Sequence, residues 1–244
     1  MKLNKSRYVM NSIIELVISG RIIVGILAAI IPAILMMNFI LNKGANATFY
    51  IKHISNLFCM LGLYVGVLNS LYFVSRDFTY NTISLIGNSS NNRKSYLLGN
   101  IILSLLVSII YSIVGVSIVL IAHHLGVPGE LGNKFLIGFA INVVLTIIFY
   151  TLLGYLLFYY GLKTSGIYIL VTVLLLFVPS IASNILVAID KKLIVDIVEK
   201  IPFYSLPIYA GSNMMSGQQY LVVLICGAFI FYLTLKKCLS CTYN

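Results

Sequence analysis

The sequence predicts an all-α integral membrane protein with six transmembrane helices, and three observations predict it. First, 60% of the residues are hydrophobic and only 9% are charged, where an ordinary soluble domain carries roughly 25% charged residues. Second, six apolar runs lie near the length of about 20 residues that crosses a bilayer. They cover 22–41, 57–75, 96–122, 135–159, 166–187 and 220–235, and none contains an Asp, Glu, Lys or Arg. Third, 16 Lys+Arg stand against 6 Asp+Glu, and they fall in the gaps between the runs. A net charge of +10 carried by so few groups cannot build a groove of phosphate contacts, so nucleic acid is not the expected partner. Basic residues in such a chain orient membrane helices and touch anionic lipid. All 244 residues read as one transmembrane domain, with no stretch left for a fused large ATPase.

The elements follow in order. Before the first run, 6–21 places Tyr8, Val9, Ile13, Leu16 and Val17 near helical spacing, with Ile14 beside them and Asn11, Ser12, Glu15 and Ser19 polar. This reads as an amphipathic helix along the inner membrane face, or as an extension of span one. The first run is too long, and lacks a small-residue cleavage pattern, for a signal peptide. Pro32 inside it predicts a kink. Between spans two and three, 76–86 can form a short helix with Phe78, Thr82 and Leu85 along one side, followed by an Asn-rich polar turn over 87–94. That segment is a lever for a soluble partner, or a plain loop. Between spans five and six, Leu193, Ile194, Ile197, Val198 and Ile201 predict one short amphipathic helix after Asp190-Lys191-Lys192, with Pro202 and Pro207 then breaking the chain. It reads as a cap over the outer end of a pathway, or as a helix resting on lipid.

Six spans put both termini on one side. The N-terminal tail, the 76–95 loop, the 160–165 loop and the C-terminal tail carry Lys2, Lys5, Arg7, Arg21, Arg76, Arg93, Lys94, Lys163, Lys236 and Lys237. The other set carries Lys43, Lys52, Lys134, Lys191, Lys192 and Lys200. Ten against six places the first set, and both termini, in the cytoplasm.

Groups for chemistry are sparse. No phosphate-binding loop occurs, and Gly161-Leu162-Lys163-Thr164 lacks the glycine spacing of one. His53, His123 and His124 make no zinc motif, and no Gly-x-Ser-x-Gly is present. Cys59 and Cys226 lie within spans as small apolar groups, and Cys238 and Cys241 read as two reduced thiols. No catalytic residue, metal site or cofactor is assigned, and the chain is not expected to be an enzyme. Within the spans, Gly62 and Gly66 form G-x-x-x-G, with Asn69 and Phe73 continuing near that face. Tyr168, Thr172 and Ser183 mark span five, and Asn142, Thr146 and Tyr150 recur every four residues in span four. Such stripes line a path for an amphipathic cargo, or they bond helices to one another.

The order of these elements resembles the type-2 ABC exporter permeases. In that family the loop between spans two and three reads as an acid, Gly-Thr, an apolar stretch, a Pro and a basic cluster leading to Gly-Lys. Asp77 resembles the acid, Thr82 the Thr, Ile83-Ser84-Leu85-Ile86 the apolar stretch, Arg93-Lys94 the basic cluster and Gly99 the Gly. Three positions depart: Asn81 stands for Gly, no Pro precedes Arg93, and Asn100 replaces the Lys. The small size and the Ile-, Asn- and Lys-rich style are similar to permeases of Gram-positive bacteria that export, or give immunity to, antimicrobial and cytolytic peptides.

The resemblance implies a bacterial cell-membrane permease without catalytic residues. Two cytoplasmic ATPase subunits, holding ATP and Mg, would dock on Arg76, Asp77, Phe78, Thr79, Tyr80, Asn81, Thr82, Ile83 and Ile86. A second permease chain, identical or related, would complete a path for an amphipathic peptide or other amphiphile at spans two and five. Gly62, Gly66, Asn69, Phe73, Tyr168, Thr172 and Ser183 are the candidate path residues. The alternative is a stand-alone secondary carrier or channel, which needs no ATPase. An embedded enzyme would need a paired-acid, Ser-His or metal constellation, and the sequence offers none.

Overall fold

A computed structural model describes residues 3–43, 49–86, 88–188, 192–212 and 214–240. Most of the described residues are helical, with no strand among them. Six helices are long and apolar enough to cross a membrane: Arg21–Asn42, Ile51–Thr79, Ser90–His124, Asn133–Tyr159, Thr164–Val187 and Gly217–Ser240.

Helix α1 (Lys5–Ile18) starts at Asn4, whose side chain accepts the Arg7 N–H, a standard way to satisfy a free helical donor. It ends before Gly20, whose φ of +72° lets the chain turn into α2 (Arg21–Lys43) as a separate helix. The α1 pattern resolves into two apolar faces. Val9, Ser12 and Leu16 are buried, and the helix packs on α5; Met10, Ile14, Val17 and Ile18 are left exposed. Val17 therefore lies about 100° round the helix from Leu16, outside the buried face, because the expected single stripe was wider than that face.

Helix α3 (Ile51–Thr79) is the centre of the bundle. In its most apolar stretch 61% of residues are buried, against 17% in each of the last two spans. It packs most extensively on α2, then on α5 (Ser90–His124) and α6 (Asn133–Tyr159). Small residues permit that approach. A Cβ at Gly62 would lie 3.2 Å from that of Ala29, and one at Gly66 would meet Ile147 Cδ1 at 2.6 Å.

Several helices run past the apolar runs. Arg76–Thr79 belong to α3, so the segment between spans two and three holds only the four-residue α4 (Ile83–Ile86). Ser90–Lys94 belong to α5, whose first turn is capped by Ser89. The expected Asn-rich turn thus shrinks to Asn88 and Ser89, with Gly87 outside the described residues. Polar residues carry a helix beyond the apolar zone when a cap supplies the first hydrogen bonds.

Span five is two helices, α7 (Thr164–Thr172) and α8 (Val178–Val187), joined by a π turn at Val173–Phe177. The expected outer segment is also two helices, α9 (Lys192–Val198) and α10 (Pro202–Tyr209). The prolines do not break the chain as expected. Pro202 opens α10 at the first position, where no N–H is needed, and Pro207 is accommodated inside it. Asp190 and Lys191 lie outside the described residues. The last span, α11 (Gly217–Ser240), is closed by a reciprocal cap: Ser216 Oγ accepts the Gln219 N–H and Gln219 Oε1 accepts the Ser216 N–H.

The spans alternate in direction. At one end Leu3 N–H donates to Asn92 Oδ1, Thr79 meets Thr164, and Arg93 donates to the Leu239 carbonyl. At the opposite end Ile51 N–H donates to the Pro128 carbonyl, and Gln219 donates to the Glu199 carbonyl. Lys5, Arg7, Arg21, Arg76, Arg93, Lys94, Lys163, Lys236 and Lys237 belong to the first end. Lys43, Lys52, Lys134, Lys192 and Lys200 belong to the second; Lys2 and Lys191 are not described.

Candidate functional site

The turn between α3 and α5 is built around a buried carboxylate. Asp77 is 4% exposed. Its Oδ1 accepts the Thr82 hydroxyl at 3.0 Å and its Oδ2 accepts the Tyr96 hydroxyl at 2.7 Å. Arg76 Nε lies 3.6 Å from Oδ1. A buried charge needs such partners, because desolvation is otherwise costly. The three residues pin the turn to the start of α5.

Asn81, within that turn, has a φ of +55°. This left-handed conformation favours Gly, and Asn tolerates it better than other side chains. The residue standing where the resembled family has Gly is therefore one that can fill the same backbone conformation. Gly99 and Asn100 have local roles too. A Cβ at Gly99 would lie 3.0 Å from the Tyr8 ring, so its absence admits α1. Asn100 is fully buried; its Oδ1 accepts the Tyr8 hydroxyl at 3.1 Å and its carbonyl accepts that of Tyr155. Burial, and then the Asp77 charge, raises the Tyr8 phenol far above its ordinary range, so it acts as a neutral donor.

Three residues of the last turn of α3 are each tied to a different helix. Arg76 pairs with Glu15 of α1 at 2.5 Å and lies over the Phe73 ring. Phe78 packs on Phe158 and Tyr159 at the end of α6, with centroids 5.4 and 5.3 Å apart. Thr79 bonds Thr164 at the start of α7 at 2.9 Å. Ile83 is buried and Ile86 is half-buried. Tyr80 and Leu85 are instead 73% and 78% exposed. Two grooves lie nearby: one of about 680 Å³ beside Phe78, Phe158 and Thr164, and one of about 710 Å³ between α1 and Leu85-Ile86.

The candidate path residues fall in three places: on α3, on its seam with α7, and on α8. Gly62, Gly66, Asn69 and Phe73 are buried. Asn69 donates to the Tyr111 hydroxyl at 3.0 Å. Tyr168 and Thr172 lie on the seam between α3 and α7, bonding Ser75 at 2.7 Å and Tyr64 at 3.2 Å. Ser183 meets Tyr204 of α10 at 3.3 Å. Asn69 and Tyr168 both border a hollow of about 430 Å³ between α2 and α3. A second hollow, of about 300 Å³, lies between Asn56, Cys59 and Met60 of α3 and Leu175 and Pro179 of span five.

The span-four stripe bonds helices together. Asn142 donates to the Tyr209 carbonyl and accepts from the Tyr220 hydroxyl, and Tyr150 donates to carbonyls of span five and α10. Sequence reasoning missed Tyr8, Glu15 and Tyr96 as partners. Their contacts are long-range, and only the row Asn56, Met60, Tyr64, Leu68 and Tyr72, spaced by four, was a readable signal for the face of α3 that borders both hollows. Cys238 is buried and its thiol meets the Arg93 carbonyl, while Cys241 lies outside the described residues. Among the described residues no three His, Cys, Asp or Glu side chains form a group able to hold a metal.

The fold defines a multi-pass, all-helical membrane protein. No family model matches the chain, and a search of curated proteins finds no match.

Proposed function

We propose that this chain is the permease subunit of an ATP-driven exporter of the type-2 ABC kind. One observation carries the reading: Tyr80 and Leu85 stand exposed beside Asp77, while Arg76, Asp77, Phe78 and Thr79 are fastened to α1, α5, α6 and α7. A soluble ATPase gripping those two side chains would displace four helices at once. The end carrying most of the basic residues faces the cytoplasm on this reading, and α1 rests in the inner membrane interface with Met10, Ile14, Val17 and Ile18 against lipid. The protein works in a bacterial cell membrane with both termini inside. A second permease chain covers the open face of α3, where Asn56, Tyr64 and Tyr72 would otherwise meet hydrocarbon. The cargo is an amphipathic peptide or another amphiphile, and ATP and Mg reside in two partner ATPase subunits.

The test is a pull-down from native membranes through an N-terminal tag, followed by mass spectrometry. A co-purifying ABC ATPase, lost on Tyr80→Ala with Leu85→Ala, supports the reading. Its reproducible absence under conditions that preserve known complexes, together with ATP-independent transport in liposomes, favours the stand-alone carrier.

A further inference from the structure

Span five is fastened differently in its two halves. The α7 half is bonded to α3 by Thr164–Thr79 at 2.9 Å, Tyr168–Ser75 at 2.7 Å and Thr172–Tyr64 at 3.2 Å. The α8 half buries only Pro179 among its residues. Its side-chain tie to α10 is Ser183–Tyr204 at 3.3 Å. Between the halves, the Val178 N–H bonds the Val173 carbonyl, five residues back. In that widened register the Leu174 carbonyl would be served by residue 179, but Pro179 has no N–H. In α10, Pro207 likewise cannot serve the Phe203 carbonyl four residues back.

Both carbonyls point at one side chain. The hydroxyl of Tyr150, on α6, lies 3.3 Å from the Leu174 oxygen and 3.4 Å from the Phe203 oxygen. A single O–H is shared between them, and both distances exceed the usual O–H···O of about 2.7–2.8 Å. Tyr150 itself is fully buried. Below this point the hollow of about 300 Å³ has the hinge (Leu175, Pro179) as one wall, α10 (Pro207) as another and Cys59 of α3 as a third.

We propose that the π turn is a hinge about which α8 and α10 swing together, and that the Tyr150 hydroxyl, bonded to the hinge and to α10, is the latch that fixes them in the closed arrangement over the hollow. The latch is weak by construction, since one proton serves two carbonyls. The inference does not depend on the transport reading.

Cys59, which is 3% exposed, reports on the opening. The full-length protein in nanodiscs is treated with N-ethylmaleimide, and the rate of modification at Cys59 is followed by peptide mass spectrometry. Tyr150→Phe keeps the ring and removes the proton; it raises that rate by about five- to tenfold, the factor that one hydrogen bond is worth. Pro179→Ala supplies an N–H and closes the helix; it lowers the rate below wild type. A Tyr150→Phe protein with wild-type elution and helicity that labels at the wild-type rate overturns the latch. If Tyr150→Phe does not fold, Pro179→Ala decides alone, and labelling at or above the wild-type rate overturns the hinge.

Discussion

Removing the Asp77 carboxylate is the perturbation whose cost follows most directly from the geometry. Two hydroxyls donate to it at 3.0 and 2.7 Å. Hydrogen bonds to a charged group contribute about 1.5–3 kcal/mol each. The two donors are not equivalent. Tyr96 is 1% exposed, so its hydroxyl has no water to turn to. Thr82 is only half-buried, so water replaces part of its loss. Asp77→Ala therefore costs about 3–4 kcal/mol of local stability, dominated by the stranded Tyr96 phenol. Tyr96→Phe costs about 2 kcal/mol and Thr82→Val about 1 kcal/mol. Asp77→Asn costs about 1 kcal/mol, because its amide accepts from one hydroxyl and donates to the other. The assay is amide hydrogen exchange of 78–86 in nanodiscs, where each 1.4 kcal/mol is about a tenfold change in local opening. Exchange should rise by over a hundredfold in Asp77→Ala, about thirtyfold in Tyr96→Phe and about fivefold in Thr82→Val. If Thr82→Val exceeds Tyr96→Phe, or if Asp77→Ala stays within about twofold of wild type while folded, the reasoning from burial is wrong.

Other expectations concern thermal stability in detergent. Asn81→Gly is neutral within about 0.5 kcal/mol, whereas Asn81→Val, forced to a positive φ, costs about 1–2 kcal/mol and lowers the melting midpoint. Gly66→Ala destabilises by about 1–3 kcal/mol because the added methyl meets Ile147 at 2.6 Å. Gly166→Ala, with nothing within 4 Å of the new carbon, leaves the midpoint unchanged or slightly raised. Glu15→Gln breaks the Arg76 pair, but the side chains are 34% and 44% exposed, so the loss stays below about 1 kcal/mol and shrinks further in high salt.

The six spans were legible because soluble core helices are rarely free of charge over such a length. Their ends were not, since hydropathy measures the apolar zone and not the helix. Arg76–Thr79 and Ser90–Lys94 are helical outside that zone, held by a cap and by their neighbours. The start of α11 was readable and passed over, because Ser216-x-x-Gln219 is a capping box. Prolines misled for a related reason. Pro202 at a helix start costs nothing, and the carbonyl that Pro207 leaves is met by Tyr150, 53 residues away. At the site, the acid and the Thr were visible, but the Tyr96 hydroxyl that holds Asp77 reaches it from 19 residues along the chain. No local pattern encodes such a pairing.

These long-range contacts make α6 the link between the two ends. At its last turn Phe158 and Tyr159 hold Phe78, and one turn earlier the Tyr155 hydroxyl contacts the carbonyls of Ser70 and Asn100, both at 3.1 Å. Further along the same helix Tyr150 holds the two broken segments, and Asn142 grips α10 and α11. A helix of 27 residues spans about 40 Å, and α6 has neither a proline nor a π turn along that length. Displacing Phe78 would therefore move α6 as a shaft rather than bend it. The compliant element is span five, with its π turn and its one shared latch. A push at the basic end would then reach the hinge at Tyr150, nine residues along α6. That ordering makes Phe78→Ala and Tyr150→Phe distinct in effect. On the proposed permease reading, the first should leave Cys59 labelling unchanged at rest and abolish any response to an added ATPase, while the second should raise labelling with no ATPase present.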